Sequence, residues 1–118
     1  MGRLSTHILD TVKGGPAAGV TIELHRLADD AGWTLVKKTM TNADGRTDEP
    51  LLADGALEAK CYMLTFHIGD YFVKSGASHA DKAFLDIVPV RFTIADPGAH
   101  YHVPLLASPW SYSTYRGS

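Results

Sequence analysis

The chain is poor in the features that would tie it to an oxidising compartment, a membrane or a nucleic acid. Its 118 residues include one cysteine, Cys61. No internal disulfide can form, so a small bridge-stapled scaffold is excluded, and a lone thiol fits a reducing compartment. No apolar run approaches the roughly 20 residues that a membrane-spanning helix needs. No apolar leader precedes the first strand-like segment, which makes a cytoplasmic location the expectation. Charge is nearly balanced, 11 basic against 13 acidic residues, and the longest basic run is Lys37-Lys38. That distribution offers no footprint for nucleic acid or an acidic membrane. Familiar catalytic motifs are missing as well. There is no G-x-S-x-G elbow, Cys61 lacks a context that would activate it, and Gly14-Gly15 opens no helix that could cradle phosphate.

Helical periodicity is also scarce, and strand alternation takes its place. Val20, Ile22 and Leu24 alternate with Thr21, Glu23 and His25; Tyr62, Leu64, Phe66 and Ile68 alternate with Met63, Thr65 and His67. Val88, Val90, Phe92 and Ile94 form a third such set. Each predicts a strand with one face on a core. Leu4–Val12, Trp33–Met40 and His100–Leu106 are further strand-like segments, with a return strand after a Ser108-Pro109 turn. Turn chemistry separates them at Gly14-Gly15-Pro16, Asp29–Gly32, Asn42–Gly45, Asp54-Gly55 and Asp96-Pro97-Gly98. The one predicted helix is Ser78–Leu85, with Ser78 as N-cap and Asp81 three residues on. Short strands at regular spacing predict a single all-β domain over residues 1–118, an antiparallel sandwich.

Two strands break the apolar-in, polar-out rule. In the first, Thr6 and Ile8 share one face, His7 and Leu9 the other. In the penultimate one, Tyr101, Val103 and Leu105 oppose His102, Pro104 and Leu106. A second face mixing imidazoles with leucines needs a cover, and another copy of the chain is the expected one. Taken singly, His7, His25, His67, His79 and His102 are each more often structural than catalytic. Arg46, directly after Asn42-Ala43-Asp44-Gly45, is most often a solvated turn residue. His100 and His102 could grip a metal from one face, but no Cys or acidic cluster completes a ligand set, so no metal is expected. The closing Tyr115, Arg116 and Ser118 form a dense polar group expected to belong to a site.

Leu4–Val20 (LSTHILDTVKGGPAAGV), Thr41–Arg46 (TNADGR), Phe66–Phe72 (FHIGDYF) and His100–Ser118 (HYHVPLLASPWSYSTYRGS) together resemble the transthyretin-like family over essentially the whole chain. The final YRGS and the histidines are similar to its hydrolase branch rather than its hormone carriers. The resemblance implies a transthyretin-like (prealbumin-like) β-sandwich of two four-stranded sheets with one short helix. It also implies a homotetramer with active sites in a channel between dimers. Matched position by position, His7, Arg46, His102 and Ser118 are the implied catalytic residues. His7, Arg46, Tyr115, Arg116 and Gly117 are the implied substrate contacts, and no cofactor is implied. The implied reaction opens the N1–C6 amide of 5-hydroxyisourate, giving 2-oxo-4-hydroxy-4-carboxy-5-ureidoimidazoline in urate breakdown.

These side chains suit that chemistry. Water attacking a cyclic acyl carbon needs a base, and a neutral imidazole supplies one near neutral pH. The developing oxyanion needs a cation or donor, which a permanently charged guanidinium provides. The rival expectation is a non-catalytic carrier binding an aromatic molecule in the same channel. It accounts for the sandwich but not for buried basic groups, which cost desolvation and give an apolar ligand nothing.

Overall fold

Alternation of buried and half-exposed side chains builds one wall of the molecule from long, unbroken strands. The computed structural model describes residues 2–78 and 82–118. In chain order the elements are β1 (Arg3–Ser5), β2 (Ile8–Asp10), β3 (Gly15–Pro16), β4 (Thr21–Leu27), β5 (Trp33–Met40), β6 (Leu52–Ala53), β7 (Cys61–Phe66), α1 (Ile68–Ser75), β8 (Val88–Thr93), β9 (His100–His102), β10 (Leu105–Ala107) and β11 (Tyr112–Thr114). The first wall is an antiparallel sheet in the order β5-β4-β7-β8. It buries Ile22, Leu24, Tyr62, Leu64, Phe66, Val88 and Val90. Pro89 lies in β8, the sheet's edge, where a missing N–H costs no ladder bond.

The opposite wall comes in two pieces, β6-β1-β9 and β11-β10-β2-β3. The expected Leu4–Val12 and His100–Leu106 strands are each interrupted, the first at Thr6-His7 and the second at Val103-Pro104. Pairing nonetheless runs across the interruption. The Val103 N–H donates to the Ser5 carbonyl at 2.9 Å and the Leu105 N–H to the His7 carbonyl at 2.9 Å. The Thr6 hydroxyl donates to the Val103 carbonyl at 2.7 Å. Alternation therefore survives: Leu4, Thr6, Ile8, Tyr101, Val103 and Leu105 are buried in the common core, and His7, Leu9, His102 and Leu106 face outward, half-buried. Pro104 departs from the expected pattern and is buried.

The helix is not where the alternation placed it. It occupies Ile68–Ser75, with Ile68 and Phe72 one turn apart against the core, Asp70 in its first turn, Lys74 in its last and Gly76 as a left-handed cap. Ile68 is thus its first residue rather than the last of a strand, and His67 precedes it. Of the expected Ser78–Leu85 helix, His79, Ala80 and Asp81 lie outside the described residues, while Ser78 and Lys82–Leu85 are irregular. The expected role for His79 likewise lies outside them. Among the described residues, no helix is long and apolar enough to cross a membrane.

Candidate active site

Parallel pairing of β1 with β9 sets Ser5 opposite His102, so both side chains leave the same face. His7, two residues after Ser5, shares that face. Their third neighbour arrives on the Asn42–Arg46 turn. The Asn42 carboxamide oxygen accepts the Asp44 N–H at 2.9 Å and the Arg46 N–H at 3.2 Å. The Asn42 N–H donates to the Arg46 carbonyl at 2.7 Å. Gly45 takes φ 73°, a conformation side chains disfavour. Its carbonyl accepts the Ile8 N–H at 2.8 Å, docking the turn beside His7. A Cβ at Gly45 would stand 2.5 Å from the Ile8 carbonyl oxygen. Glycine here lets the turn that carries Arg46 dock against β2 beside His7.

The resulting cluster is electrostatically coupled. Burial holds His7 below the ordinary imidazole value of 6.5 and Arg46 lowers it further, with the Asp44 carbonyl and carboxylate opposing. His102 is lowered by burial first, then by Arg46 and by His7. Burial and a neighbouring cation both disfavour imidazolium, so both rings are neutral bases at neutral pH. A shallow cavity of about 190 Å³ opens beside Ser5 and Arg46, lined also by Arg3, Thr6, Thr47, Asp48 and Pro50.

The closing tetrapeptide divides between two places. The Gly117 N–H donates to the His102 carbonyl at 2.7 Å, so Gly117 belongs to the cluster. Arg116 turns elsewhere: its guanidinium lies 4.1 Å from the Tyr101 ring centroid and donates to the His100 carbonyl at 3.0 Å. Tyr101 and His102 point to opposite faces of β9, so Arg116 is on the far side from the imidazoles. With Tyr115, it lines a separate cavity of about 360 Å³ against Phe92, Thr93, Ala95, Val103 and Thr114. Ser118 is exposed.

The remaining candidates lie apart. His67 pairs with Glu23 at 3.1 Å, and His100 is exposed. His25 sits on β4, and Cys61 accepts the Arg91 Nε–H at 3.1 Å. Among the described residues, no group of three or more His, Cys, Asp or Glu is placed to hold a metal. One neighbour of the cluster was not singled out from the sequence: the Ser5 hydroxyl and His102 Nδ1 are hydrogen-bonded at 2.8 Å. Its only signal is the i, i+2 spacing to His7.

Two walls enclosing one core, with basic groups gathered on the outward face of the divided one, fit the transthyretin-like class of β-sandwich. The chain belongs to the HIUase/Transthyretin family, whose model matches residues 4–117. It is 55% identical to the 5-hydroxyisourate hydrolase of Deinococcus radiodurans over 98% of this chain and 95% of that protein. The crystal structure of (S)-allantoin synthase superimposes with a TM-score of 0.92 at 47% identity over 99% of this chain, which spans only 44% of that one. Klebsiella pneumoniae 5-hydroxyisourate hydrolase gives 0.82 at 36% identity over 100% of both chains. Sea bream transthyretin in complex with thyroxine gives 0.88 at 31% identity, covering 98% of this chain and 94% of that one. A hydrolase and a thyroxine-binding protein share this backbone, so the fold alone does not choose between them.

Proposed function

We propose that the chain is a hydrolase that opens the N1–C6 amide of 5-hydroxyisourate, yielding 2-oxo-4-hydroxy-4-carboxy-5-ureidoimidazoline. The observation that carries this is the convergence of His7, Arg46 and His102 on one face with both imidazoles held neutral. One imidazole takes a proton from water as its oxygen attacks C6. Arg46 binds the carbonyl edge and stabilises the oxyanion of the tetrahedral adduct. Collapse breaks the C6–N1 bond, the imidazolium returns its proton to N1, and the product leaves as a carboxylate. Neither a metal nor a covalent intermediate is required. Ser118 is the further catalytic group proposed, and Tyr115, Arg116 and Gly117 are the further substrate contacts. Tyr115, Arg116 and Ser118 are supplied when a second copy brings its own closing segment to this face. The half-buried Leu9 and Leu106 beside the histidines supply apolar area for such an interface, and a homotetramer is the assembly proposed.

The test is ultraviolet monitoring of 5-hydroxyisourate generated in place from urate. Decay accelerated above the unaided rate supports the reading, and unchanged decay overturns it in favour of a carrier. Sedimentation or light scattering showing a monomer would overturn the tetramer.

A further inference from the structure

We propose that Ser5 and Gly117 are positioning residues that clamp the His102 imidazole from two sides, leaving Nε2 as the ring nitrogen presented to the reacting groups. For its catalytic consequence the inference rests on the hydrolase reading; for its geometry it does not. A histidine ring can rotate about its Cβ–Cγ bond, which exchanges the positions of Nδ1 and Cδ2. Two contacts oppose that exchange here. The Ser5 hydroxyl holds Nδ1 at 2.8 Å. On the other side, a Cβ built on Gly117 would lie 2.7 Å from Cδ2 and 3.3 Å from Cγ and Cβ of His102. The bare Gly117 backbone therefore packs on the ring's carbon edge. Flipping the ring would break the Ser5 bond and press a polar nitrogen against that backbone. The edge left free is Cε1–Nε2.

Both contacts are fixed by backbone pairing. Ser5 is held opposite His102 by the parallel β1–β9 register, and the Gly117 N–H is bonded to the His102 carbonyl at 2.7 Å. The choice of a hydroxyl also suits a base that cycles. With the proton on Nδ1, Ser5 accepts it both when Nε2 is bare and when Nε2 has gained a proton, so nothing rearranges during turnover. A carboxylate in the same place would favour imidazolium and hold the proton. A neutral hydroxyl steers the ring without that cost.

The test combines ring nitrogen NMR on the full-length protein with steady-state kinetics. With ¹⁵N-labelled histidine, the wild-type His102 ring is expected to show a protonated Nδ1 and a bare Nε2. Ser5→Ala should mix the two tautomers, and Ser5→Thr, which keeps the hydroxyl, should restore one. In kinetics, Ser5→Ala should lower kcat by roughly 10- to 100-fold with KM little changed, as expected for a misplaced catalytic group. Ser5→Thr should recover most of that loss. Gly117→Ala should lower kcat similarly while thermal unfolding shows the fold retained. Unchanged ring shifts in Ser5→Ala, wild-type kcat in Ser5→Ala, or a Thr variant no better than Ala would each overturn the clamp. A loss above about 1,000-fold that Thr does not repair would make Ser5 a reacting group instead. Should the wild type fail to accelerate 5-hydroxyisourate decay, the hydrolase reading falls, and the ring shifts still decide the clamp.

Discussion

The two walls of the sandwich use the same alternation for different ends. In β5-β4-β7-β8 the strands run six to eight residues without interruption, and the outer face carries such pairs as His67 with Glu23. In the other wall each strand is two or three residues long, and the breaks at Thr6-His7 and Val103-Pro104 fall beside the two imidazoles. The unbroken wall contributes long ladders and the fully buried Ile22, Leu24, Tyr62, Leu64 and Phe66. The broken one concentrates groups that burial and mutual repulsion hold away from their ordinary protonation. Separating the two lets the second tolerate desolvated histidines that cost stability.

Injuring one wall and measuring the other's property tests whether the two are independent. Phe66→Ala, in the unbroken wall, should cost about 3–5 kcal/mol of stability. At temperatures where the variant is still folded, its kcat should stay near wild type, with denaturant unfolding and kinetics as the paired measurements. A large kcat defect in fully folded protein would mean the walls are not independent. His7→Ala, Arg46→Ala and His102→Ala should do the reverse, each lowering turnover by roughly 100-fold or more with little change in melting temperature. Full activity in any one would strike that residue from the mechanism. Gly45→Ala touches both properties: strain at positive φ and the close approach to Ile8 should cost about 1–3 kcal/mol and displace Arg46. Calorimetry and kinetics on the same sample would test this.

A subtler effect concerns pH. Because His7 and His102 are held below 6.5, the acid limb of the rate profile should lie below that value. Replacing Arg46 removes a repulsion on the imidazolium form. The limb of the residual activity should then move upward in pH; a downward move would contradict the assigned cause. The same depression has a stability consequence. Between 6.5 and the lowered values, the unfolded chain binds protons that the folded chain refuses, so acidification through that window should destabilise the fold. The smallest expected effect is none: EDTA should leave the rate unchanged, and loss restored by zinc would overturn a metal-free mechanism.

Much of this was legible in the residues. Period-two alternation found the longer strands and the mixed His7/Leu9 and His102/Leu106 faces. However, β6 (Leu52–Ala53) carried no such signal, and β3 (Gly15–Pro16) falls where a turn was expected. The β1–β9 and β2–β10 pairs are parallel within a sandwich expected to be antiparallel. The helix was misplaced because Ile68 fits two periods at once. It extends Tyr62, Leu64 and Phe66 as a strand residue and pairs with Phe72 as a helical one, and only tertiary packing decides. The split of the second wall was invisible because Thr6 stays buried across the break, leaving the local pattern intact. Ser5 was missed for a different reason. Its partner is His102, and a parallel register between segments so distant in sequence leaves no local trace.

That distance has a further meaning. Ser5 and His102 are 97 residues apart in the chain, and so are the Thr6 hydroxyl and the Val103 carbonyl it bonds. Contacts of such long sequence separation close loops that span most of the chain, and loop entropy makes them slow to gain. Recovery of turnover during refolding would thus act as a clock for the final closure, running behind any optical signal from the β4–β5 hairpin.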